Sequence, residues 1–112
     1  MPTTTSSTVL AECNAVESTP EQVVYWLNLG FCAREQHDFT PGFYAYNRAL
    51  SMAKTDLEKK QAEQGLTLIL LTNKNVEEAK LHFKKADDLN KKHSDANFVN
   101  FENEYQQLLK NF

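Results

Sequence analysis

The chain has 112 residues, a formal net charge of −3, 41% hydrophobic residues and 24% charged ones. That is ordinary globular composition, and the length fits one domain with a modest core. The mild acidity excludes a globally basic nucleic-acid binder, and three Gly with three Pro are too few for the many turns of a β-sandwich.

The charge is uneven. Residues 1–53 set Arg34 and Arg48 against Glu12, Glu17, Glu21, Glu35 and Asp38, whereas residues 79–93 set Lys80, Lys84, Lys85, Lys91 and Lys92 against Asp87 and Asp88. A solvated helix face is the favoured reading of that basic stretch. The longest apolar run, Leu66–Leu71, is too short to span a bilayer, so no membrane insertion is expected. The N-terminus has no basic region followed by an apolar core, so no secretory signal is expected. Cys13 and Cys32 lack metal spacing and are read as reduced thiols, which places the chain in the cytoplasm.

In chain order, residues 1–18 read as a disordered or weakly ordered segment. "PTTTSST" is polar and of low complexity, and "VLAECNAVE" forms a short helix or lies across the domain. The helical domain is 19–112. Thr19, Pro20 and Gln22 are placed as cap, first helical residue and capping-box partner, predicting a helix over 20–35. Its apolar residues cover most of its circumference, so it either packs on more than one face or lines an open groove. Asp38 caps a second helix over 40–54, with Pro41 in its first turn. Thr55 and Glu58 form a capping box for a third over 56–72; Gly65 inside it costs about 1 kcal/mol relative to Ala unless a neighbour needs the space. Asn75 and Glu78 do the same for a fourth over 76–92. Ser94 or Asp95 caps the last, over 95–110, whose stripe is Phe98, Phe101, Tyr105, Leu108 and Phe112. Short connections make neighbouring helices antiparallel.

The chain also matches itself at a shift of 37 residues. Asp38 falls on Asn75, Gly42 on Ala79, Tyr46 on Phe83, Ala49 on Ala86 and Leu29 on Leu66, each pair similar in size or capping role. Within the first unit stand Trp26, Leu29-Gly30, Gly42, Tyr46 and Ala49. That pattern resembles a tetratricopeptide repeat, with Asn28, Gln36, Asp38 and Leu50 also fitting and Ala33 standing where the family has a large aromatic. The second unit, about 60–93, departs more, with Glu63 in place of Trp and Thr67 in place of Gly. The last helix resembles a capping helix.

The resemblance implies an all-α fold of antiparallel helical hairpins stacked as a short tetratricopeptide-like α-solenoid. It also implies a non-enzymatic interaction module, an adaptor or chaperone-like protein that binds a peptide or helix of a partner in its concave groove. Carried over residue by residue, that groove is Val24, Leu27, Phe31 and Arg34 on the first helix, Gln61, Gln64, Leu68 and Leu71 on the third, and Asn103 and Gln106 on the last. Leu27 and Phe31 stand where the chaperone-binding subset carries Lys and Asn, which argues against a carboxylate clamp. The groove reads as apolar with amide edges, unless "VLAECNAV" covers it.

No catalytic residue, metal or cofactor is expected. His37 reads as a turn residue, His82 as an exposed helix position and His93 as a helix-end cation; no phosphate-binding Gly-rich loop occurs. The expected partner is a protein or peptide, not nucleic acid. The alternative is a structural module that associates, as a homodimer, through its C-terminal helix.

Overall fold

The computed structural model describes residues 21–112. It is all-helical: α1 (Val23–Glu35), α2 (Phe39–Met52), α3 (Asp56–Thr72), α4 (Val76–Lys92) and α5 (Phe98–Leu109), with no strand among the described residues. The helices form two hairpins, α1–α2 and α3–α4, stacked through α2 against α3, while α5 lies across α3. None of the described helices is long and apolar enough to cross a membrane. The expected short stack of antiparallel hairpins is what the chain forms. The expectations for residues 1–18, including "VLAECNAV" as a groove cover, fall outside the described residues.

The local start signals are realised unevenly. At α3 the Thr55 hydroxyl accepts from the Glu58 backbone N–H at 3.1 Å and Glu58 accepts from the Thr55 N–H at 3.3 Å, the reciprocal box that satisfies two end-of-helix donors. The other expected caps differ. The expected Thr19 cap and Pro20 start lie outside the described residues; α1 as described starts after Gln22, which makes no side-chain cap, and Asp38 stands at the N-cap of α2 without a side-chain bond. Asn75 also makes no cap; its Oδ1 accepts from Asn73 Nδ2 at 2.8 Å instead. α5 begins after Asn97 rather than at 95. Asp95 Oδ1 accepts from the Asn97 N–H at 2.8 Å, a local turn that competes with helix.

Both hairpin turns have one construction. Asp38 N donates to Ala33 O at 2.9 Å and His37 N to Arg34 O at 3.0 Å; Asn75 N donates to Leu70 O at 2.8 Å and Lys74 N to Leu71 O at 2.9 Å. These are the paired bonds of a Schellman motif. They place His37 (φ 58°) and Lys74 (φ 67°) in the left-handed region. The two turns are related by the same 37-residue shift that the sequence shows.

The core follows from small residues facing rings. Tyr46 is 4% exposed, and its ring lies between Gly30 of α1 and Gly65 of α3; a Cβ at Gly30 would sit 2.8 Å from its Cε1, and one at Gly65 would sit closer still. Gly65 is therefore there to admit the Tyr46 ring. In the second unit Phe83 lies flat on Tyr105, centroids 4.0 Å apart at 10°, and beside Phe101 at 5.6 Å. Phe98 joins the same cluster. This aromatic stack fixes how α5 is rotated about its axis. At the other end of the stack, Trp26 of α1 meets Tyr25 and Tyr44 edge-on at 4.9 and 5.7 Å, with the Arg48 guanidinium over its ring at 5.3 Å.

Cys32 is disulfide-bonded, which corrects the expectation of a reduced thiol; Cys13 lies outside the described residues. Lack of metal spacing does not say whether a fold brings two sulfurs together. The thiols therefore no longer argue for a reducing compartment.

Candidate protein-binding groove

The successive turns of α1 carry Val24, Leu27 and Phe31 along one face because the helix repeats every 3.6 residues. Facing them are Gln61, Gln64 and Leu68 on α3 and Asn100, Phe101 and Glu104 on α5. Together with Asn28 and Arg34 they line an open cavity of about 410 Å³ whose floor includes Tyr46 and Gly65. Val24 is 47% and Phe31 52% exposed, while Leu68 is buried in the floor. The structure thus brings together Val24, Leu27, Phe31, Arg34, Gln61, Gln64 and Leu68.

Three expected groove residues lie elsewhere. Leu71 is buried in the core of the second unit. Asn103 and Gln106 are exposed and do not line the cavity. With Phe98, Phe101 and Tyr105 turned inward, the flank of α5 that meets the groove carries Asn100 and Glu104, about a sixth to nearly a half of a turn away.

Arg34 is the cation in the lining. Its Nη1 donates to Glu104 Oε2 at 3.1 Å, tying α1 to α5 across the concave face, and its guanidinium lies 5.4 Å over the Phe31 ring. Burial alone would lower its pKa, but the Tyr46 hydroxyl and Glu104 raise it above the ordinary arginine value. Burial in turn pushes the Tyr46 hydroxyl up, with Arg34 opposing. The apolar floor therefore ends at a fixed positive charge.

Behind the groove lie polar contacts that no local pattern announces. Lys60 is 2% exposed. Its Nζ donates to Asn90 Oδ1 at 3.0 Å and to the His93 carbonyl at 2.8 Å, and lies 3.7 Å from Asp95 Oδ2. Long-range acceptors thus take two of its donors and Asp95 balances its charge, at the negative end of the α4 dipole. Glu63, where the first unit has Trp26, is buried and bonded to His82 Nδ1 at 2.5 Å. His82 is therefore half-buried and engaged, not the exposed helix position expected. His93 pairs with Asp56 at 3.1 Å. Three lysines of α4 meet its own acids: Lys80 with Glu77, Lys84 with Asp88 and Lys91 with Asp87. The only signals for Lys60 and Glu63 were polar residues at core-facing helical positions.

Comparisons with protein-family models, curated proteins and solved structures find no match for this chain.

Proposed function

We propose that this chain is a non-enzymatic protein–protein interaction module of the tetratricopeptide type, adaptor or chaperone-like, which takes a segment of a partner protein in the groove between α1, α3 and α5. The observation that carries the reading is the open apolar cavity of about 410 Å³ with Phe31 and Val24 exposed along it. A cavity of that size falls in the range of binding pockets, and an exposed apolar patch rimmed by amides marks an interaction surface. The equivalent Schellman turns at His37 and Lys74 support a repeat. The three histidines lie apart in the fold, His37 in a turn and His82 and His93 each against a carboxylate, and no cluster of three or more His, Cys, Asp or Glu that could hold a metal occurs among the described residues. The outer face of α4 is the weaker candidate, because Lys80, Lys84 and Lys91 are matched in cis and such exposed pairs attract little.

The test is capture of partner proteins by the wild type, Phe31→Glu and Lys84→Glu in parallel, with identification by mass spectrometry. Burying one large apolar side chain is worth about 1.5–3 kcal/mol, and about 1.4 kcal/mol is tenfold in affinity. Phe31→Glu is expected to weaken capture at least about tenfold while its circular dichroism stays that of the wild type. Capture lost in Lys84→Glu and retained in Phe31→Glu would move the site to the outer face. Association through the C-terminal helix is a second reading, carried by Phe112 at 57% exposure. Leu108 packs on the core of its own chain, which leaves that reading less surface, and light scattering showing a monomer at high concentration would remove it.

A further inference from the structure

Two buried polar atoms have no hydrogen-bond partner among the described residues: Arg34 Nε and Asp38 Oδ2. Their side chains line one small cavity of about 60 Å³ under the α1–α2 turn, which Ile69, Thr72 and Asn73 help to close. The guanidinium Nε–H is only a donor and a carboxylate oxygen only an acceptor, and buried groups of either kind are rarely left unpaired. They do not bond to each other. A single molecule that both accepts and donates satisfies the two.

Water fits in number and in size. It accepts from Arg34 Nε–H and donates one hydrogen to Asp38 Oδ2. Thr72, which also lines the cavity, offers an acceptor for the second hydrogen, since its own hydroxyl hydrogen is committed to the Ile69 carbonyl at 2.9 Å. Three hydrogen bonds are usual for a buried water, and the cavity exceeds the ~10–15 Å³ that one water needs. An inorganic cation is disfavoured by the guanidinium in the same wall.

We propose that this cavity is a structural water site in which one ordered water joins Asp38 to Arg34, so that Asp38 is the positioning residue for the cation of the groove. The water bridge stands by itself; the positioning role rests on the groove reading. The bridge belongs to the first unit only. In the second, Leu71 replaces Arg34 and brings no donor, and Asn75 replaces Asp38 and is satisfied by Asn73. A polar chain then runs from Asp38 through water to Arg34 and on to Glu104, from the start of α2 to α5.

The chain has two arginines, Arg34 and Arg48, so its 15N side-chain spectrum holds two Nε signals, and exposed Arg48 is the internal reference. In the full chain, Arg34 Nε–H is expected to exchange with solvent at least about tenfold more slowly than Arg48 and to show cross-relaxation to a long-lived water. Asp38→Ala should erase the water signal and bring the two exchange rates together; Asp38→Asn, which keeps an acceptor, should retain it. Exchange at Arg34 as fast as at Arg48 in the wild type, a direct Arg34–Asp38 bond without water, or a water signal that survives Asp38→Ala would each overturn the site. Should Asp38→Ala not fold, a high-resolution crystal structure of the wild type decides, with density within hydrogen-bond reach of both atoms expected and its lack overturning the proposal. If the water signal vanishes in Asp38→Ala while partner capture is unchanged, the positioning role falls; failure of the groove itself is read separately, from Phe31→Glu.

Discussion

Gly65→Ala sets helix propensity against packing. In an exposed helix the change would stabilise by about 1 kcal/mol. Here the new methyl would collide with the Tyr46 ring at three of its atoms. The ring has little room to retreat, because Gly30 packs against it too, where a Cβ would lie 2.8–2.9 Å from three ring atoms, and Tyr46 is only 4% exposed. Overpacking costs about 1–3 kcal/mol; with both sides closed the upper end applies, and the net loss expected is about 2 kcal/mol. The assay is urea unfolding followed by far-UV ellipticity, comparing midpoints at unchanged slope. Gly30→Ala, with a shallower overlap, should lose less. Gly42→Ala should be close to neutral, because the atom it meets most closely is the tip of the Ile69 side chain, and the second unit carries Ala79 there. In a Tyr46→Leu background, where the ring is gone, Gly65→Ala should turn from a loss into a gain of up to about 1 kcal/mol. A stabilising Gly65→Ala in the wild type, or the same change in both backgrounds, refutes the reasoning.

Other outcomes follow from the turns, the buried lysine and the tyrosines. His37→Gly and Lys74→Gly should each stabilise by about 0.5–1 kcal/mol, since both positions are left-handed; a loss in either, measured by thermal unfolding, would show that the native side chain contributes more than the backbone relief. Lys60→Met keeps the apolar stem but leaves Asn90 and the His93 carbonyl without their donor, and should cost about 1–3 kcal/mol; a neutral result by urea titration contradicts the reading of Lys60 as a buried tie between α3 and the end of α4. Burial raises the Tyr46 hydroxyl above its ordinary 10.0 and does the same for Tyr105. The folded state thus keeps these protons after the unfolded chain has lost them. Their contribution is complete below pH 10.0 and is lost as pH rises through the raised values. The urea midpoint should fall on that alkaline limb, and Tyr46→Phe should flatten it; an unchanged slope refutes the assignment.

Most of the helical pattern was written locally. Thr55 and Glu58, the Pro41 first turn and the period of the apolar stripes place each described helix within a few residues. The faces of α1 and α3 that line the groove were legible through the tetratricopeptide resemblance, and helical geometry keeps Val24, Leu27 and Phe31, or Gln61, Gln64 and Leu68, on one face. What escaped is long-range. The rotation of α5 depends on Phe83 stacking against Tyr105, so Asn100 and Glu104 took the places expected for Asn103 and Gln106. Lys60 and Glu63 find their partners in α4 and beyond it, at distances along the chain that periodicity does not reach. The disulfide at Cys32 is of the same kind.

Trp26, the single tryptophan, sits at the α1 end of the stack under Arg48 and between two tyrosines. Its emission is a local gauge of the first hairpin, whereas ellipticity sums over every helix. In a stacked array, stability divides into units and the interfaces between neighbours. The two signals therefore part company in denaturant whenever the first hairpin melts out of step with the second, and the chain carries its own optical label for the order in which it comes apart.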